Sequence, residues 1–402
     1  MFSALRFHRN PLRLLVLVVA PAFLAACQVA APGNAPGPRV GGQTVQVAML
    51  LPASSERGGD ATIARSLENA ARLAASDLSG VAVEITVYDT AGESAQAADV
   101  ARDAVQAGAD IIVGPLRSDA AAAVGVAVAN SNVNVLSFSN NTEIAGGNVF
   151  VLGHTFQNTA ARVVAHAAAQ GRTRIVVAHA QNLAGQVARD AVLRAAQAGS
   201  ASVVATVPYE FSQSGVIDTV PQIMAAVRDN DANGLMLTSD SAGALPFFAQ
   251  LLPENGLYLA HPNNPTGNGL DLEAVQMMGL TRWDTPPQTL ELSGLQGGWF
   301  AVPDRGATQT FNDRYEAAYG GPPHILGALG YDAIRAVGET AATTGGLGAA
   351  DLTASSGFRG ANGVFRLRSD GTNARAMAIA QVTQNEVAVI DPAPRRLGDF
   401  GF

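Results

Sequence analysis

The chain has 402 residues, and all 25 basic ones are Arg, so the absence of Lys excludes Schiff-base chemistry, Walker-type phosphate loops and a lysine general base. A single cysteine, Cys27, excludes an intrachain disulfide and a thiolate metal cluster. With 48% hydrophobic and 14% charged residues and a net charge of −8, the chain reads as globular, and its acidic balance gives no support for nucleic-acid binding.

The first segment reads as an export signal. Arg6, Arg9 and Arg13 form a positive region, and residues 14–22 form an apolar run too short to span a bilayer. Leu24-Ala25-Ala26-Cys27 resembles the lipobox of bacterial lipoproteins, in which the cysteine is lipidated and becomes the new N-terminus. On this reading residues 1–26 are a lipoprotein signal peptide. Their removal takes away three Arg and no acid, moving the net charge from −8 to −11. Three acyl chains, at about 0.8 kcal/mol per buried methylene, make a firm anchor. Gln28, in place of the Asp that retains lipoproteins in the inner membrane, resembles the outer-membrane pattern. Residues 27–44 are then the lipidated Cys and a Pro/Gly/Ala-rich tether, whose last 17 residues reach about 55–60 Å when extended.

From residue 45 strands and helices alternate. Residues 45–51 (VQVAMLL) are continuously apolar, as suits a strand buried on both faces. Helical spacing over 61–78 is followed by a β-branched strand at 81–88, a helix at 93–107 and a short strand at 110–113. A helix at 118–130 and a strand at 133–138 close the first run. The second run predicts helices over 155–170, 182–198, 218–228 and 242–252, with strands at 174–178, 202–208, 234–238 and 257–260. This rhythm implies two parallel sheets wrapped by helices, with a break near 150–160. Residues 261–294, rich in Pro and Gly, read as irregular chain. Beyond them come a strand at 295–300, helices at 308–319 and 325–343, and antiparallel strands at 363–368, 376–383 and 386–390.

Several segments in consistent order resemble the leucine/isoleucine/valine-binding type of periplasmic solute-binding protein. They are VAMLLP, GADIIVGPLRSDAAAAVGVAVANSNVNVLSFSNN, FNDRYEAAYGGPPHILGALGYDA and GFRGANGVFRLRSDGT, together spanning roughly residues 45–392. The resemblance implies the type I periplasmic binding protein fold, an α/β architecture of two Rossmann-like, doubly wound lobes with a hinge. It implies 45–155 and 303–345 as lobe 1, 156–302 and 346–392 as lobe 2, and 393–402 as a C-terminal tail. A small polar, amino-acid-like ligand then binds between the lobes of a receptor for an ABC importer. No cofactor, metal or catalytic residue is implied. The six His are scattered, and there is no Gly-x-Ser-x-Gly elbow or His-Glu-x-x-His.

In open α/β sheets ligands sit beyond the carboxyl ends of strands. That rule selects Arg117 and Ser118 after the third strand, for a carboxylate, and Ser139, Asn140 and Asn141 after the fourth, for an amine or other polar group. The polar loop at 54–59 after the first strand is a weaker candidate, Asp240 is a candidate from the second lobe, and Tyr331 and Trp299 are candidate cleft aromatics. Each has an ordinary alternative: helix capping for Ser118 and Asp240, solvent exposure for Arg117, turn chemistry for residues 139–141, and core packing for the aromatics. Two departures stand out from the amino-acid binders. Leu183-Ala184 replaces an aromatic-Gly pair, and His261-Pro262-Asn263-Asn264 stands where an acid often occurs. GGWFAVPD at 297–304 and DPAPRR at 391–396 instead resemble lipoproteins that activate a penicillin-binding protein in peptidoglycan synthesis, which share this fold. The alternative partner is therefore a penicillin-binding protein rather than an ABC permease. Both readings are non-enzymatic and place the protein in the periplasm, lipid-anchored to a membrane, with the outer membrane favoured.

Overall fold

The computed structural model describes residues 44–261 and 274–397. The signal, lipobox and most of the tether expected before residue 44 lie outside them, as does the end of the expected C-terminal tail.

Strands β1 (Val45–Leu51), β2 (Val83–Asp89), β3 (Ile111–Val113), β4 (Asn134–Ser137) and β5 (Val149–Val151) form a parallel sheet in the order β2-β1-β3-β4-β5. Helices α1 (Asp60–Ser76), α2 (Ser94–Gln106) and α3 (Ser118–Ala127) make the first three connections. The sequence pattern tracks position in the sheet. Six of the seven residues of the central strand β1 are buried, whereas the edge strand β2 alternates half-buried and exposed residues over its first five positions. On α1, Ala64, Leu67, Ala71 and Ala74 recur at helical spacing and bury in the core under the sheet.

The second sheet begins with α4 (Phe156–Ala169) leading into β6 (Arg174–Ala180). Then come α5 (Leu183–Ala198), β7 (Ser202–Tyr209), α6 (Gln213–Asp229), β8 (Gly234–Leu237), α7 (Leu245–Glu254), β9 (Gln276–Gly279) and β10 (Trp299–Val302). The chain returns to the first sheet for α8 (Arg305–Tyr319), α9 (Ala328–Thr344), α10 (Ala349–Ala354) and a small antiparallel sheet of β11 (Phe358–Gly360), β12 (Gly363–Leu367) and β13 (Asn373–Arg375). It ends on the second sheet as β14 (Ala378–Thr383) and β15 (Glu386–Asp391). That sheet runs β15-β14-β10-β9-β8-β6-β7, parallel from β7 to β10 and antiparallel through β14 and β15.

The α/β architecture is the one the sequence predicts, and the differences have local causes. β5 falls in the break between the two runs, and β9, QMMG, has no β-branched or aromatic residue to mark it as a strand. The strand expected at 257–260 reduces to one bridge, Leu259 to Val275. The strand expected at 295–300 moves to 299–302, because 293–295 coils into a single 3₁₀ turn. The helix expected from 218 begins at Gln213, capped by the Ser212 hydroxyl, which accepts from the Gly215 N–H.

The expected boundary at 345/346 is also corrected. Leu347, Leu352, Phe358, Phe365 and Leu367 bury in one core with Val47, Leu67 and Val337, so residues up to β13 belong with the first sheet. The reason is continuity of packing: α9 lies so close to α1 that a Cβ on Gly330 would meet the Leu67 carbonyl at 2.2 Å, and the segment after α9 continues over the same core.

The chain therefore passes between the two lobes three times, at β5 to α4, β10 to α8 and β13 to β14. The first and third passages are bonded to each other. The Asn373 amide donates to the carbonyls of Val151 (2.9 Å) and Gly153 (3.0 Å), and its oxygen accepts from Asn158 (2.8 Å). Arg375 donates to the Leu152 carbonyl and to Asp332 Oδ2 (2.7 Å), and the Asp332–Arg375 pair is almost wholly buried.

Candidate binding cleft

Both parallel sheets place their first strand in the middle, with the next strand on one side and later ones on the other, in the order 2-1-3-4-5. The loops at such a reversal splay apart and leave a crevice beyond the strand ends. A cleft of about 970 Å³ lies there. Its lining follows the strand ends: Arg57 after β1, Leu116–Asp119 after β3, Phe138–Asn141 after β4, Gly153–Thr155 after β5, Leu280–Arg282 after β9 and Pro303 after β10. Lining therefore comes from both lobes and from all three crossovers, the last through Met377. Gly114 makes the approach on the first lobe possible. It has φ +95°, and a Cβ there would stand 2.3 Å from the Leu50 carbonyl of the neighbouring strand.

Five of the eight residues selected from sequence line this cleft: Arg117, Ser118, Ser139, Asn140 and Asn141. Their hydrogen bonds divide them. Arg117 is not a free cation. Its Nη2 donates to Asp60 Oδ1 (2.6 Å), and Asp60, whose side chain is 2% exposed, also accepts from the Ser55 hydroxyl (2.8 Å). The Arg117 Nε is buried and has no acceptor among the described residues. Ser139 is buried, and its hydroxyl accepts from the Asn141 N–H (3.1 Å). The Asn141 side-chain Oδ1 in turn caps a 3₁₀ turn by accepting from the Glu143 N–H (3.0 Å), the turn chemistry that was its alternative. Ser118 is the first residue of α3, not its cap. Among the described residues, the side chains of Ser118 and Asn140 make no hydrogen bond.

Asp240 and Tyr331 do not line the cleft. Asp240 is exposed beyond β8, where its backbone carbonyl accepts from the N–H groups of Gly243 and Leu245. Tyr331 faces away on α9. Its hydroxyl donates to Asp77 Oδ2 (2.8 Å), and its ring packs edge-on to Phe311. Burial, then the hydrogen bond to Asp77, raises its pKa. Trp299 is buried in β10 against the His166 ring. Helical and strand periodicity places these residues on elements but does not say which face meets the cleft.

The residue that sequence reasoning missed is His154. It sits in the first crossover, in the short stretch between β5 and α4. Its ring makes no hydrogen bond among the described residues. Burial, then the guanidinium groups of Arg375 and Arg282, push its pKa down to about 3, so the imidazole is neutral at physiological pH. The available signal was its position in the break between the two β-α runs, since a hinge contributes to both walls of a cleft. Arg57 was missed as an individual residue within the polar loop after β1. Arg282 also lines the cleft and is engaged with Asp284 through Nε (2.5 Å) and Nη2 (2.6 Å). The apolar walls include Leu116, Phe138, Phe156, Leu280 and Met377.

A family model described as periplasmic binding protein matches residues 44–386, most of the chain, and the protein belongs to that family. Among solved structures, one titled a putative branched-chain amino acid ABC transporter from Rhodospirillum rubrum is similar at TM-score 0.69 and 19% identity, covering 86% of this chain and 100% of that one. An ABC transporter substrate-binding protein from Desulfitobacterium hafniense in complex with Leu aligns at TM-score 0.58 and 17% identity, over 87% and 100% of the two chains. A solute-binding protein of an ABC transporter from R. palustris in complex with benzoate aligns at 0.55 and 16%, over 89% and 98%. No curated protein matches the sequence. At these identities the likeness establishes the two-lobed α/β fold.

Proposed function

We propose that this protein is the receptor of an ABC importer and holds a small polar ligand of amino-acid size between its lobes. One observation carries the reading: a cleft of about 970 Å³ at the carboxyl ends of both parallel sheets, with three crossovers passing between the lobes. Closure of two such lobes on a ligand is the movement this architecture permits. Its structural neighbours include ABC transporter proteins, one with leucine bound and one with benzoate, which supports the class. Membership in the family implies a periplasmic location.

Calorimetric titration with amino acids, organic acids and sugars tests the reading. One-to-one binding, with a smaller radius of gyration by X-ray scattering, is the expected result. Silence across the panel contradicts it. The lipid anchor is tested separately: Cys27→Ser is expected to shift the protein from the membrane to the soluble fraction, and unchanged membrane association would refute the anchor.

A second reading, activation of a penicillin-binding protein through protein contacts, draws on one surface feature. Leu183, Phe211, Ile217 and Phe247 are exposed at and just beyond the carboxyl ends of β6, β7 and β8, with the exposed acids Glu210, Asp218 and Asp240 on the same segments. Exposed apolar side chains flanked in sequence by acids suit a protein partner. Pull-down of such a synthase by the wild-type chain, lost in Phe211→Ser, together with silence across the ligand panel, would favour this reading over transport.

A further inference from the structure

We infer that the open edge of β2 is a self-association site, at which two copies of this chain pair β2 with β2, antiparallel, about a two-fold axis at Thr86.

An edge strand presents a row of unpaired N–H and C=O groups, and proteins blunt such edges with bulges, prolines, covering segments or opposed charge. Three of the four edges of the two large sheets are blunted. β5 is covered, since the Val151 N–H donates to the Gly371 carbonyl (2.9 Å). β7 shifts register opposite Ile175/Val176 and contains Pro208. β15 shifts register opposite Ile379/Ala380, and both its ends, Glu386 and Asp391, are acids. Antiparallel pairing of two copies of β15 about its centre would set those carboxylates against each other, which is unfavourable. Among the described residues, β2 has none of these devices. It pairs with β1 over seven residues without a shift, contains no proline, and none of its residues is buried.

Two bonds fix the direction of its free groups. The Val45 N–H donates to the Ala82 carbonyl (2.9 Å), and the Thr90 N–H donates to the Leu51 carbonyl (2.9 Å). Backbone groups alternate sides along a strand, so residues 84, 86 and 88 face β1. Val83, Ile85 and Val87 turn theirs outward, where they have no hydrogen bond among the described residues. Pairing about Thr86 uses these groups: Ile85 of one copy and Val87 of the other exchange bonds, and the two Thr86 residues meet as a non-hydrogen-bonded pair. The side chains match in the same register. Ile85 opposes Val87, Thr86 opposes Thr86, and Glu84 opposes Tyr88, so no like charges meet. The product is one continuous sheet of twice five strands, a size that open sheets reach. β2 is at the opposite edge of its sheet from β5, where the first crossover begins, so the contact does not involve that crossover.

Thr86 is exposed and lies on the axis, which makes it the position to test. In the Cys27→Ser chain, Thr86→Cys supplies a single thiol. Across a non-hydrogen-bonded pair the Cα atoms are about 4.5 Å apart, a separation that a disulfide spans. With oxidised glutathione, a disulfide-linked dimer is expected to form at least tenfold faster than from Ser202→Cys, which puts the thiol at an exposed position of β7. A contact along one edge is at the small end of interface sizes, so sedimentation of the Cys27→Ser chain should show monomer and dimer in concentration-dependent exchange. Thr86→Arg and Thr86→Glu should each be monomeric, because like charges then meet on the axis, and an equimolar mixture of the two should dimerise again. Melting curves of each variant show whether the fold is kept. Crosslinking of Thr86→Cys no faster than of Ser202→Cys would overturn the inference. Dimers that persist in both folded Thr86 charge variants would also overturn it, since the interface would then lie elsewhere. Ligand affinity is expected to be unchanged in Thr86→Arg, so the receptor reading stands or falls separately.

Discussion

The crossovers and the cleft in front of them draw on the same residue types, Arg, Asn, Asp and His, and treat them differently. In the crossovers Asn373 bonds to two carbonyls and a second Asn, and Arg375 is held by Asp332 and Leu152. In the cleft Asn140 and His154 have no hydrogen-bond partner among the described residues, and neither has the hydroxyl of Ser118. A buried polar group must be bonded or it costs stability, so the crossovers have a structural account complete in itself. Groups facing a solvent-filled cleft can bond to water until a ligand replaces it. The contrast separates residues that hold the lobes together from residues free to recognise something, and it divides the sequence candidates the same way: Arg117, Ser139 and Asn141 are engaged within the protein, Ser118 and Asn140 are not.

Substitutions can break this contrast. The largest effect is expected at Asp332→Ala, which strands the Arg375 guanidinium in a site where both side chains are almost fully covered. Removing one member of a buried pair costs about 3–5 kcal/mol. Chemical denaturation should show a loss of that order, and the double substitution Asp332→Leu with Arg375→Met should recover part of it. A loss below about 1 kcal/mol would mean that the crossovers do not depend on this pair.

Tyr331→Phe is expected to cost about 0.5–1.5 kcal/mol, the worth of its hydrogen bond to Asp77, and to leave ligand affinity unchanged. A change in affinity would return Tyr331 to the site. At the other end of the scale, Asn140→Ala and Ser118→Ala should change stability by less than about 0.5 kcal/mol, because no protein bond is lost. They should weaken ligand binding by about 0.5–1.5 kcal/mol each. Loss of stability without loss of affinity would reverse the assignment.

Acid sharpens the contrast further. His154 is neutral in the folded protein down to about pH 3, whereas an unfolded His titrates near 6.5. Between those values the unfolded chain binds the extra proton, so stability falls as pH falls. Burial lowers His166 as well, despite its bond to Asp391, and adds to the same trend. Asp77 works in the same direction at lower pH. Burial raises its pKa, but hydrogen bonds from Arg314 and Tyr331 outweigh that and lower it, so its contribution, present above the unfolded carboxylate range, is lost as pH falls through the folded value. Denaturation midpoints from pH 7 to 4 should decline, and His154→Gln should show a shallower slope. An identical slope would contradict the account of the imidazole.

Much of the fold was legible because parallel strands buried on both faces are continuously apolar, as VQVAMLL at β1 is, and because Ala-rich helices separate them at regular intervals. β9, QMMG, escapes because it has no β-branched or aromatic residue, and β5 because it falls in the break between the two runs. The rule that ligands lie beyond strand ends selects Arg117, Ser118 and residues 139–141, which line the cleft. What sequence spacing does not contain is pairing across the fold. Asp60 is 57 residues from Arg117, and Asp77 is 254 from Tyr331, yet those contacts decide that one cation is neutralised and one aromatic faces elsewhere. His154 escaped notice because a lone histidine between elements has no motif; its meaning comes from the two lobes that meet around it.

The imidazole resonances offer the most direct measurement. In a ¹H–¹⁵N correlation spectrum of the histidine side chains, addition of whichever ligand the titrations identify should shift the His154 signals, while those of His166, bonded to Asp391 on the far lobe, stay in place. A tightly bound ligand that leaves the His154 signals unmoved would contradict the claim that the unpartnered groups of the cleft are the ones that recognise it.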